Sequence, residues 1–79
     1  HWRTTMENLE YNKATLKLLV DNKKTLLEAE RRILVAIVID LQQGEETVPI
    51  VTEKLFEISD TILLLTDQIE KCRRAIKKS

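Results

Sequence analysis

The chain has 79 residues, of which 43% are apolar, 4% aromatic and 33% charged, and its thirteen basic residues balance thirteen acidic ones. A single glycine and a single proline leave few turn-forming residues, which argues against an all-β fold. The zero net charge excludes an overall field that would attract nucleic acid or an anionic membrane. The composition therefore predicts a few long helices packed through Leu, Ile and Val.

The first half of the chain predicts one helix over about residues 5–41, although its apolar pattern is irregular. Alternating steps of three and four back from Leu41 collect nine apolar residues: Leu41, Ile37, Leu34, Leu27, Val20, Leu16, Leu9, Met6 and Trp2. Glu30, Lys23 and Lys13 interrupt this seam, and polar residues at such positions often fix register and oligomeric state. An alternative buried face, rotated around the helix, runs through Leu19, Leu26, Ile33 and Ile37 and leaves those charges outside. The pattern does not choose between the two faces.

Two other arrangements of this half stay open. A turn between Asp21 and Lys24, followed by a capping-box spacing at Thr25 and Glu28, would split the helix and give a monomeric three-helix bundle. The β-branched segment 33–41 could instead pair with residues 48–52 as a β-hairpin. We prefer the continuous helix because the polar stretch holds neither Gly nor Pro, and two strands make a poor sheet.

The second half carries the clearest pattern. Thr47 is a candidate N-cap, Pro49 suits a first turn, and a helix over 48–77 follows the loop 42–47, which contains Gly44. All nine seam positions of this helix are apolar: Val48, Val51, Leu55, Ile58, Ile62, Leu65, Ile69, Cys72 and Ile76. Four heptads of this kind are typical of a coiled-coil or bundle helix.

These elements predict one domain over residues 1–79 with an all-α fold, an antiparallel helical hairpin with coiled-coil-like packing. Seven apolar residues lie outside the paired seam, at the overhanging start of the first helix or off the seam of the second: Trp2, Met6, Leu9, Ile50, Phe56, Leu63 and Leu64. Burying each would contribute on the order of 1.5–3 kcal/mol. We therefore expect them to bind a protein partner, either a second copy or heterologous helices, which completes a bundle.

The sequence offers few candidate catalytic residues. His1 is the only histidine, and Cys72 occupies a seam position where a small hydrophobic residue is the ordinary interpretation. No cluster of Cys and His suits a metal, and Gly44 alone makes no phosphate-binding loop. We expect no enzyme activity, no cofactor, no metal and no small-molecule substrate.

The preferred hypothesis is a non-catalytic interaction module that mediates assembly or adaptor binding. An alternative is a small helical chaperone or inhibitor that shields an apolar segment of its partner. A third hypothesis uses the basic tail 71–78 to bind nucleic acid or a membrane surface, but cations also suit the C-terminal end of a helix dipole. One cysteine and no leader predict an intracellular, cytoplasmic protein, and a start without Met suggests a piece of a longer chain.

Overall fold

The computed structural model describes the backbone of residues 2–46 and 48–78 and the side chains of residues 8–46 and 48–78. These residues form two helices, α1 (Trp2–Gln42) and α2 (Pro49–Lys78), which pack against each other as a helical hairpin. The described residues contain no strand, so the all-α prediction is confirmed and the β-hairpin alternative is wrong. The molecule measures 63 × 15 × 15 Å. Its long dimension matches the roughly 62 Å expected of a 41-residue helix at 1.5 Å per residue.

α1 continues without a break through the polar stretch that suggested a turn. The hydroxyl of Thr25 donates a hydrogen bond to the carbonyl of Asp21, 3.1 Å away and four residues earlier, as a helix-interior threonine does. Thr25 therefore does not cap a new helix, and the three-helix alternative is wrong. Lys24 is exposed and Lys23 is only half-buried, so the ammonium groups of both side chains can reach solvent from a continuous helix.

The turn between the helices is set by Gly44. Its φ of +75° lies in the left-handed region, which glycine adopts without steric cost. The amide of Glu45 donates to the carbonyl of Asp40 at 2.8 Å, and the amide of Gly44 donates to Leu41 at 3.1 Å. This pair of bonds is the Schellman motif, which satisfies the last carbonyls of α1 and reverses the chain. α2 then begins at Pro49, where a missing amide hydrogen costs nothing. The proposed cap Thr47 lies outside the described residues.

The seam predicted for α2 is the face that packs on α1. Ile62, Ile69 and Cys72 are the buried residues among those whose side chains are described. The remaining seam residues inside the helix are half-buried: Val51, Leu55, Ile58, Leu65 and Ile76. Val48 is the exception, because it precedes the helix and is exposed.

The seam of α1 differs from the one traced back from Leu41. Ten half-buried residues follow one another at alternating steps of three and four: Leu9, Asn12, Leu16, Leu19, Lys23, Leu26, Glu30, Ile33, Ile37 and Asp40. Leu41, Leu34, Leu27 and Val20 are exposed, so their assignment to the seam was wrong. The rotated face through Leu19, Leu26, Ile33 and Ile37 is the correct one. It does not leave every charge outside, however, because Lys23 and Glu30 are half-buried and only Lys13 is exposed.

Two hydrogen bonds between the helices fix their antiparallel register. The hydroxyl of Ser59 donates to a carboxylate oxygen of Glu30 at 2.7 Å. Near the other end, the thiol of Cys72 lies 3.1 Å from the carbonyl oxygen of Asn12. Position 30 of α1 therefore lies beside position 59 of α2 and position 12 lies near position 72, so the start of α1 and the end of α2 are at the end opposite to the turn.

Candidate functional site

The outer face of α2, formed by Ile50, Phe56, Leu63 and Leu64, is the first candidate surface. These residues occupy heptad positions b and c, on the side of α2 that points away from α1. All four are exposed, and Leu63 keeps 68% of its side-chain accessibility. Acidic residues are interleaved with them, namely Glu53, Glu57, Asp60 and Asp67, all exposed. The outer face thus consists of exposed apolar side chains with negatively charged side chains between them.

The other predicted partner-binding residues lie near the start of α1. The side chains of Trp2 and Met6 are outside the described residues. Leu9 is half-buried at a seam position, three residues before the level of the Asn12–Cys72 contact. Because α2 continues for six residues beyond Cys72, Leu9 lies beside α2 and does not overhang it. Its role in binding a partner stays a prediction.

A second apolar surface was not among the predicted binding residues. We call it the apolar flank: Val20, Leu27, Leu34 and Leu41, each exposed and each directly after a d position of the α1 seam. This is heptad position e, which lies at the edge of the helix interface. The signal in the sequence was their spacing of seven, which was interpreted as part of the seam itself.

A shallow groove joins the apolar flank to α2. It is lined by Val20 and Leu27 from the flank, by Ile69 and Arg73 of α2, and by Lys23 and Lys24. The groove shows that position e of α1 and position e of α2, where Arg73 lies, are on the same side of the hairpin. Its floor is apolar and its rim carries three cations.

Two cations of the basic tail 71–78 form ion pairs within α2. Lys71 pairs with Asp67 at 3.0 Å, and Arg74 donates to Glu70 at 2.7 Å. The hydrogen bond to Glu70 raises the pKa of the Arg74 guanidinium above its ordinary value. These pairs are exposed i,i+4 contacts, which stabilise a helix only weakly.

Among the described residues, no three His, Cys, Asp or Glu side chains come together as metal ligands. Cys72 is a free cysteine at the buried seam, where its thiol faces the Asn12 carbonyl. Neither described helix contains a stretch apolar and long enough to cross a bilayer. The expected absence of catalysis stays a prediction, and His1 lies outside the described residues.

The fold and its surfaces define a class: a two-helix hairpin with apolar residues on its outside. No protein-family model, curated protein or solved structure matches the chain, so its function has to be inferred from its own residues.

Proposed function

We propose that the chain is a non-catalytic helical interaction module, which assembles with protein through the apolar residues on the outside of the hairpin. The observation that carries the proposal is the exposure of large apolar side chains on two sides of the molecule, the outer face of α2 and the apolar flank of α1. Contiguous apolar patches on a protein surface are typical of interaction sites.

The energetics support assembly. Only three of the residues whose side chains the structure describes are buried, so the core of the hairpin contributes little net stability. Phe56 is 62% exposed, and covering such a side chain contributes about 1.5–3 kcal/mol. A partner that covers several of these residues would therefore stabilise the hairpin by an amount comparable to its own folding free energy.

Site-specific photo-crosslinking tests the proposal. A photoreactive amino acid at position 63 should crosslink to a polypeptide in cells that express the protein, because Leu63 lies on the outer face. The control is position 18 on the other side of α1, since Leu18 is 64% exposed, close to the 68% of Leu63. Equal yields at the two positions would refute the interaction surface.

A double variant provides the matching loss of function. Phe56→Ser with Leu63→Ser should dissolve the assembly, while the far-UV circular dichroism of the hairpin stays helical, because neither residue contributes to the seam. Leu18→Ser is the control and should leave the assembly intact. An unchanged assembly mass in the double variant would count against the outer face.

A further inference from the structure

The two flanks of the hairpin differ at the positions directly beside the seam. On the side of the apolar flank, α2 contributes Thr52, Ser59, Thr66 and Arg73 at position e, and Phe56 and Leu63 lie just beyond them at position b. The Ser59–Glu30 hydrogen bond and the groove at Arg73 place these residues beside α1. The opposite flank is formed by position g, where residues are small or polar: Thr15, Asn22, Ala29 and Ala36 of α1, and Lys54, Thr61, Gln68 and Ala75 of α2. Directly beside the seam, large apolar residues therefore occur on the apolar flank alone. The exposed large apolar residues of the other side lie one position further out, at c: Tyr11, Leu18, Ile39, Ile50 and Leu64.

The charges of the hairpin are separated along its length. We call residues 28–61 the loop half, and residues 8–27 with 62–78 the distal half; the Ser59–Glu30 contact puts the two boundaries at about the same level. The loop half holds eight acidic and three basic residues, a net charge of −5. The distal half holds four acidic and nine basic residues, a net charge of +5. The zero net charge of the chain conceals this polarity.

We infer that the apolar flank is covered by a second copy of the chain, packed flank to flank with its turn at the opposite end. This inference rests on the proposed function and names its partner. A two-fold axis across the hairpin places each −5 half over a +5 half. A dimer with both turns at the same end would place like-charged halves side by side, which opposes association. The chain thus carries both the apolar surface and the complementary charge that this one arrangement needs.

The centre of the apolar surface agrees with the centre of the charge pattern. The four residues of the apolar flank are centred between Leu27 and Leu34, about three residues or 4.5 Å from the charge boundary. Leu63 lies beside residue 26, at the edge of this region, because Ser59 lies beside Glu30 and the helices are antiparallel. A two-fold axis at the centre superposes flank on flank and places the two copies of Leu63 on either side of the axis.

The available area is sufficient for a stable dimer. The 30 residues of α2 set a paired length of roughly 45 Å, and two helices side by side are about 20 Å wide. The flank therefore offers roughly 900 Å² per copy, against about 800 Å² per partner in an interface of standard size.

Charge-swapped variants test the inference, with mass measured by sedimentation equilibrium at low ionic strength. The loop variant carries Glu28→Lys, Glu53→Lys and Asp60→Lys, and the distal variant carries Lys13→Glu, Lys17→Glu and Lys24→Glu; all six residues are exposed. The wild-type chain should be a dimer. Each variant alone should dimerise at least about 100-fold more weakly, and an equimolar mixture should restore a dimer with one copy of each.

A distance measurement tests the orientation without touching the flank. Spin labels on Gln43→Cys in a Cys72→Ala background should lie roughly 35–45 Å apart across the dimer, since the two turns are at opposite ends. A separation under about 20 Å would put the turns together and overturn the arrangement.

Other outcomes separate this inference from the proposed function. A wild-type chain that stays monomeric, or charge variants that dimerise as well as wild type, overturns the second copy as the occupant of the flank. If position 63 then crosslinks to a different polypeptide, the interaction module stands while the self-association fails. A crosslinked product of twice the chain mass supports both.

Discussion

Substituting alanine for Ile69 should destabilise the hairpin far more than substituting alanine for Leu64, five residues away on the same helix. Ile69 is 5% exposed at the seam, and Leu64 is 66% exposed on the outer face. Ile69→Ala removes three buried carbon groups at about 0.8 kcal/mol each, and the cavity term adds to this. The shallow groove beside Ile69 lets the neighbours relax, so we expect a cost of about 2.5–3 kcal/mol, in the lower half of the usual range. Leu64→Ala should cost about 0.5–1 kcal/mol, because only a third of its side chain is covered.

Urea unfolding followed by circular dichroism at 222 nm measures both free energies. For so small a domain, the free energy of unfolding should fall by about 1 kcal/mol per molar urea. Ile69→Ala should therefore lower the urea midpoint by roughly 2 M more than Leu64→Ala does. The slopes of the two variants should agree, so that the midpoints report stability. Equal shifts would mean that α2 is covered on both faces or that its seam lies elsewhere, and either result would refute the burial pattern.

Three further predictions follow from the same geometry. Ile33→Ala should lower the stability of the isolated hairpin by about 1–2 kcal/mol more than Leu34→Ala, because Ile33 is in the seam and Leu34 is on the flank; thermal unfolding of dilute samples would reveal the reverse order if the seam were unrotated. Lys23→Leu should raise the free energy of unfolding by about 1 kcal/mol, since it places an apolar side chain at a half-buried seam position beside Val20 and Leu27, and a lower urea midpoint would contradict this. The Cys72 thiol should react with iodoacetamide at least about 100-fold more slowly in the folded chain than in 6 M urea, and equal rates would show that the distal part of the seam is open.

The second helix could be predicted from the sequence because every one of its seam positions is apolar. Nothing else in that segment competes with the pattern, and burial follows it from Val51 to Ile76. The turn was also predictable, since Gly44 is the only glycine and a left-handed residue is what ends a helix with a reversal.

The first helix was harder because two patterns of period seven overlap in it. Its true seam carries Asn12, Lys23, Glu30 and Asp40, which dilute the apolar signal. Val20, Leu27, Leu34 and Leu41 at position e repeat with the same period and are apolar throughout. Periodicity alone cannot separate a seam from an edge position of equal spacing; only the packing of α2 does so. The separation of charge along the hairpin is likewise a property of the folded chain, since it appears only when residues 8–27 and 62–78 lie together.

The placement of the two ends has a mechanical consequence. Because Asn12 meets Cys72 near the end opposite to Gly44, tension applied between the start of α1 and the end of α2 would load the seam one layer at a time. The hairpin would then unzip toward the turn at low force, with the Asn12–Cys72 layer among the first to open and the Gly44 reversal the last. Tension applied from the turn to either end would instead be carried along the backbone of a single helix and would not pull the two helices apart.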